Sequence, residues 1–321
     1  MIRKPWYFAI LLIAAACGLA HAQEYPNKPV KVFVPFPAGG SADILARLIA
    51  QGLADKFGQQ FVVENRAGAA GNLGTDAVAK AAPDGYTLGL STSGPLANNK
   101  LLYKAMPYDP EKAFAPIILV GEIPLVIVSN PAVPAKNLRE FVDLARANPG
   151  KNSVGHPGNG TIGHLALELM KTNTKADLLA VPYKGDAPAM TDLLGGSIQA
   201  ISAPVSAFIP NIQAGKLNAL AVTSKVRFQG LPNVPTAQEL GIDLEASVWF
   251  AMVAPAGTPR AIVDKVNQEA NRIIGSPEGR AKLAQFGAIP IAGAPERLAT
   301  QIAIDTAKWK RVIEVSKISL D

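Results

Sequence analysis

"VFVPFPAGGSADILARLIAQGLA", residues Val32 to Ala54, is the stretch that decides the fold. A β-branched apolar strand stops at Pro35, a Pro-Ala-Gly-Gly turn follows, and apolar residues then recur at helical spacing from Ala42 to Lys56. Strand, glycine turn and amphipathic helix are the repeating parts of α/β domains. The same parts build an anion site, because the first N–H groups of a helix have no partner within it and the helix dipole favours negative charge there. Three anions suit such a site: a nucleotide phosphate, a catalytic oxyanion or a free carboxylate.

The pattern recurs along the chain. Strands are expected at Val30–Phe36, at "QFVVEN" and at "YTLGLST", with a helix near Thr75–Ala81. "APIILVGEIPLVIVSN", Ala115 to Asn130, is expected as two buried strands broken near Gly121-Glu122 and Pro124. In the second half, helix Leu138–Asn148 stops at Pro149-Gly150. "NSVGHPGNGTIGHLALELMKTN" and "LLAVPYKGDAPAMTDLLGG" each run strand, loop, helix. "VWFAMVAPAG" is a further strand, Pro259–Gly275 a helix, and a long helix opens at Pro295. Alternation of short strands with helices predicts α/β architecture and mostly parallel sheet.

The N-terminus reads as a secretory leader over residues 1–22. Arg3 and Lys4 precede the apolar run "YFAILLIAAACGLA", and Ala20-His21-Ala22 is a small-x-small cleavage site. That run is shorter than the roughly 20 apolar residues of a membrane span. Cys17, the only cysteine, falls inside the leader. Disulfides, thiolate catalysis and cysteine metal sites are therefore excluded from the exported chain. With 321 residues the chain has room for two lobes. The formal charge of +6 comes without a basic block, which argues against a nucleic-acid partner.

Four loops follow expected strands: Pro35–Asp43, Ser91–Pro95, His156–His164 and Tyr183–Asp186. Ligands of open α/β sheets bind beyond the carboxyl ends of the strands. The first and third loops each feed a helix N-terminus, one from each half of the chain. Gly40 is the candidate N-cap of the first, and Asp43 the acid of a capping box. "GNGTIG", Gly158 to Gly163, matches a dinucleotide fingerprint, but no acid ends a strand about 20 residues later. Its glycines equally suit close helix packing. Neither the phosphate-loop motif nor G-x-S-x-G occurs. His156 and His164 lack zincin spacing and an evident companion acid, so no metal, cofactor or catalytic group is expected. Lys184 and Asp186 are expected on a solvated rim.

Five blocks then carry a resemblance: "YPNKPVKVFVPFPAGGSADILARLIAQGL", "VVENRAGAAGNLGTDAVAKAAPDGYTL", "GHPGNGTIGHLALELM", "VPYKGDAPAMTDLLGGSI" and "FAMVAPAGTPRAIVDKVN". In order and spacing they resemble the solute receptors of tripartite tricarboxylate transporters, the Bug receptors. The resemblance implies a two-lobed periplasmic binding protein fold with a ligand cleft between the lobes, working as a monomer with integral membrane transporter subunits. It implies a small carboxylate ligand, held largely by backbone groups and waters and not by an arginine clamp. Carried onto this chain, it points to Phe36, Ala38, Gly39, Gly40, Ser41 and Asp43 in the first loop, and to Ser91 and Thr92 in the second. It adds Asn159, Gly160, Thr161 and His164 in the third loop, Tyr183 in the fourth, and Ser202 and Pro204 after a later strand.

The lobes are expected at residues 23–123 with 248–321, and at 124–247. Two departures from the family pattern stand out: His156-Pro157 where many relatives have a serine, and Ile201-Ser202-Ala203-Pro204 where many have an acid. Losing that acid removes a partner for a ligand ammonium, so a carboxylate without an amino group is expected. Two alternatives stay open: a secreted enzyme acting on an organic acid with His164 as general base, and a sensor that signals to a partner.

Overall fold

The structure, a computed structural model, describes residues 25–318 and 320. The expected leader, residues 1–22, lies outside the described residues. Strand β1 (Val30–Val34) is flanked in parallel by β2 (Phe61–Asn65) and β3 (Thr87–Thr92). Helix α1 (Ser41–Phe57) returns across this sheet. Its Leu45, Ile49 and Leu53 recur every four residues and are at most 1 % exposed, and each such burial contributes about 1.5–3 kcal/mol. The helix stops at Gly58, which takes the left-handed conformation and donates its N–H to the Ala54 carbonyl. Helix α2 (Asn72–Ala79) follows β2, and the short α3 (Asn99–Leu102) follows a wide turn at Gly94–Asn98.

The centre of the sheet departs from expectation. Residues Phe114–Ser129 form one continuous strand, β4, and not two. Pro124 stands at the end of the pairing with β9 (Ser247–Pro255), opposite Ser247, and the register shifts between Pro116 and Ile118 and between Leu119 and Gly121. β4 runs antiparallel to β9 from Phe114 to Pro124. From Leu125 onward it pairs with β7 (Ala200–Pro204), and from Val126 with β8 (Asn218–Val222). β5 (Asn152–His156) lies parallel to β7 and to β6 (Leu178–Pro182). The strand order is β2-β1-β3-β9-β4-β7-β5-β6. The flanks are parallel, as expected; β4 and β9 run antiparallel to their neighbours.

Helices α4 (Leu138–Ala147), α5 (Ile162–Thr174), α6 (Asp186–Leu194) and α7 (Ile209–Gln213) cover the second half. Helix α8 (Arg260–Gly275) packs on α1. Helix α9 (Pro277–Gln285), capped by Ser276, is not expected from the sequence reading, and it leads to the short strand β10 (Ile289–Pro290). The last helix, α10 (Pro295–Ser316), serves both halves. Leu298 and Ile302 pack with Trp249 and Leu119 beside β9, whereas Trp309, Val312 and Ile313 join the second-half cluster containing Leu165 and Phe141.

No helix among the described residues is long and apolar enough to cross a membrane.

Candidate functional site

The strand ends of both halves converge on a cavity of about 650 Å³. Its floor is the centre of the sheet, where Ile123 of β4 faces Val248 of β9 in register, with Phe250 beside them. The first wall is the loop between β1 and α1. Gly39 takes a left-handed φ of +82° and donates its N–H to Asp43 Oδ2 at 2.9 Å. This is a capping interaction displaced by one residue, since the expected box would close on Gly40, the N-cap. Asn65 Nδ2 bridges the Phe36 carbonyl and Asp43 Oδ1, and Arg47 donates to the same carboxylate. Burial alone would raise the Asp43 pKa. Hydrogen bonds from Arg47, Gly39 and Asn65 outweigh it and hold the carboxyl at about 2.

The facing wall is the loop between β5 and α5. Thr161 is the N-cap: its hydroxyl donates to the Gly158 carbonyl and accepts from the His164 N–H. The Gly160 N–H donates to His164 Nδ1 at 3.1 Å. His156 lies beneath, with Nδ1 at 3.0 Å from the Gly158 carbonyl, and the two imidazoles stack. Burial pulls the His156 pKa down to about 4, helped by the neighbouring His164, and burial also lowers that of His164. Both rings are therefore neutral at neutral pH, and they brace the loop. Leu320 adds an apolar edge to the cavity and donates its N–H to the Leu102 carbonyl.

Of the residues expected in the site, Phe36, Ala38, Gly40 and Ser41 line the cavity from the first loop, and Thr92 from the second. Asn159, Gly160, Thr161 and Pro204 line it from the other side. The remaining six are not part of its wall, and each has a local reason. Gly39 and Asp43 are spent on each other. The Ser91 hydroxyl pairs with Thr75 at 2.9 Å. The His164 acceptor is taken by Gly160. The Tyr183 hydroxyl donates to Asp192 at 2.7 Å, and burial followed by this bond pushes its pKa up to about 12. Ser202 is fully buried at the point where its carbonyl meets Gly163.

Four polar residues on the wall, Ser93, Asn98, Asn99 and Asp186, were not singled out as ligand contacts. Ser93 and Asn98 are 1 % and 0 % exposed, and neither the Ser93 hydroxyl nor either amide atom of Asn98 has a hydrogen-bond partner. The sequence signal for Asn98 is the pair Asn98-Asn99 within an otherwise apolar turn; Asn99 is used structurally, on Asn72 and the Ala70 carbonyl. Asp186 corrects the expectation of a solvated rim. It lines the cavity, and its Oδ1 is buried without a partner. Among the described residues, no lysine or arginine lines the cavity, and no group of three or more His, Cys, Asp or Glu side chains could hold a metal.

The profile of the tripartite tricarboxylate transporter family receptor matches residues 45–318. BugT of Bordetella pertussis is 39 % identical over 94 % of this chain and 94 % of its own length. A solved R. palustris protein with adipate is 37 % identical with a TM-score of 0.81, covering 92 % of this chain and 99 % of that one. MatC from Rhodopseudomonas palustris, with bound malate, is 32 % identical with a TM-score of 0.76, covering 90 % of this chain and 100 % of its own. On the extent of that profile and the near full-length relatives, the chain belongs to the tripartite tricarboxylate transporter receptor family, among the Bug-type solute-binding proteins with the two-lobed periplasmic fold.

Proposed function

We propose that this protein is a periplasmic receptor that captures a small carboxylate in the cleft and delivers it to a membrane transporter. One observation carries this: two helix N-termini, from α1 and α5, meet across a cavity whose described lining contains no basic side chain. Backbone N–H groups and hydroxyls at helix starts suit a carboxylate, and glycines let it approach. Relatives solved with adipate and malate belong to the same chemical class.

The proposed lobes are residues 23–123 with 248–321, and 124–247. The change of partners along β4, from β9 to β7 and β8, supports this division. So does the Ile123–Val248 pair, which stands where both connections cross. Helix α10 then acts as a brace, because its last turns pack on the second lobe. The proposed contacts are the cavity-lining residues of the two helix-start loops with Thr92 and Pro204. Asp43, His164 and Tyr183 hold those loops in shape. The lobes close because the ligand binds the closed state more tightly, and the closed form docks on the transporter. Residues 1–22 direct export. Against an enzyme using His164 as base stands its geometry: Nδ1 is occupied and the ring is stacked on His156.

The test is native mass spectrometry of protein taken gently from the periplasm, followed by thermal shifts across a panel of organic acids. A ligand at 100 times its Kd stabilises by about 2.7 kcal/mol, a shift that is readily measured. A retained acid, or a shift confined to carboxylates, supports the receptor. No shift across the panel, combined with turnover lost in His164→Ala, would overturn it in favour of an enzyme.

A further inference from the structure

We propose that Asn98 and Asp186 make the cleft select a carboxylate that also carries a hydrogen-bond donor, such as a hydroxyl, amide or ammonium, over the bare acid of the same carbon frame. The inference rests on the carboxylate assignment above and sharpens it.

Both residues line the cavity, one in each proposed lobe, and each has a buried oxygen with nothing to donate to it. Asn98 is fully buried at the end of the turn Gly94–Asn98, and both its amide atoms lack a partner. The conclusion therefore holds whichever way the amide is turned. Asp186 opens α6, and its Oδ1 is buried and unpartnered in the same cavity.

A carboxylate brings acceptors only. It can satisfy helix N–H groups, hydroxyls and the Asn98 Nδ2. It can do nothing for the Asn98 Oδ1 or for Asp186. A bare dicarboxylate leaves both oxygens as they stand, buried and unsatisfied, each at a free-energy cost comparable to a lost hydrogen bond. A second ligand carboxylate near Asp186 adds like-charge repulsion, and no lining lysine or arginine relieves it. A hydroxyl, amide or ammonium on the ligand removes the penalty. Burial already pushes the Asp186 carboxyl up, as expected of an acid short of partners. Asp186 also supplies, from a different loop, the acid missing from Ile201–Pro204. The reason for expecting a ligand without an amino group is thereby removed.

The experiment is isothermal titration of the exported protein with matched acids of four to six carbons, each as the bare dicarboxylate, its 2-hydroxy form and its 2-amino form. In a set that binds, a donor-bearing member is expected to bind about tenfold or more tightly than its bare partner, the size of one well-made hydrogen bond to a buried or charged group. In Asp186→Ala and in Asn98→Leu, an apolar residue of similar size, the ratio of the two affinities is expected to move towards one. If Asn98→Leu does not fold, Asp186→Ala carries the test alone. Equal affinities for bare and donor-bearing acids, or a ratio unchanged in the folded variants, overturn the inference and leave the carboxylate receptor standing. No binding by any acid overturns both.

Discussion

The rings of His156 and His164 stack with centroids 4.3 Å apart and 15° between their planes, beneath the loop that starts α5. Neither ring lines the cavity. They set the height of the loop that does, and the Gly160 N–H bond requires a neutral Nδ1 on His164.

This pair makes stability depend on pH. The folded pKa of His156 is depressed to about 4, below the roughly 6.5 of an unfolded histidine. The unfolded chain therefore binds more protons between those values. The stabilisation is complete above the unfolded pKa and is lost as the pH falls towards 4. Urea unfolding at pH 7 and pH 5 should show a loss of about 2 kcal/mol from this group. The loss should shrink in His156→Gln. An identical pH dependence in that variant would assign the effect elsewhere.

Gly40 is the N-cap of α1 with φ −79°, already within the range of proline. Gly40→Pro should therefore fold while losing an N–H at the cavity wall. Ligand affinity is expected to fall about tenfold or more with little change in melting temperature. Calorimetry that found unchanged affinity in a folded variant would remove the α1 terminus from the site.

Gly163 lies in the first turn of α5, where an added Cβ would press on the Ser202 carbonyl and lie 2.8 Å from Pro157 Cδ. Backbone cannot move aside as a flexible side chain can. Gly163→Ala should destabilise by about 1–3 kcal/mol or more, and it should weaken binding by lifting the helix from β7. Denaturant melts and titration of the same sample check both effects.

Trp249 Nε1 donates to Asp305 Oδ2 at 2.6 Å, tying β9 to α10 with both residues at most 4 % exposed. Trp249→Phe keeps most of the ring volume but strands a buried carboxylate oxygen. A loss of about 1–3 kcal/mol is expected. The double variant with Asp305→Asn should lose less than the sum of the single changes, as measured by a thermodynamic cycle.

The sequence by itself determined the units. Periodicity and glycine turns located β1 with α1 and β5 with α5, because strand and helix periods and glycine conformations are local properties. The resemblance to the receptor family, and not periodicity, pointed to nine residues of the cavity wall, which sit on the loops those units create. Only the tertiary structure decided which loop residues face the cavity. Ser91, His164 and Tyr183 are polar and sit in the right loops, but Thr75, Gly160 and Asp192 claim their hydrogen bonds. Asn98 and Asp186 carry no local mark that separates a ligand contact from a structural polar group. Their lack of partners becomes visible only when every neighbour from both halves is in place. The union of β4 into one strand is non-local in the same sense: Gly121 and Pro124 look like breaks until β9, opposite them, holds the strand together. Hydrogen-bond satisfaction is a property of the whole packed molecule, and no window of sequence contains it.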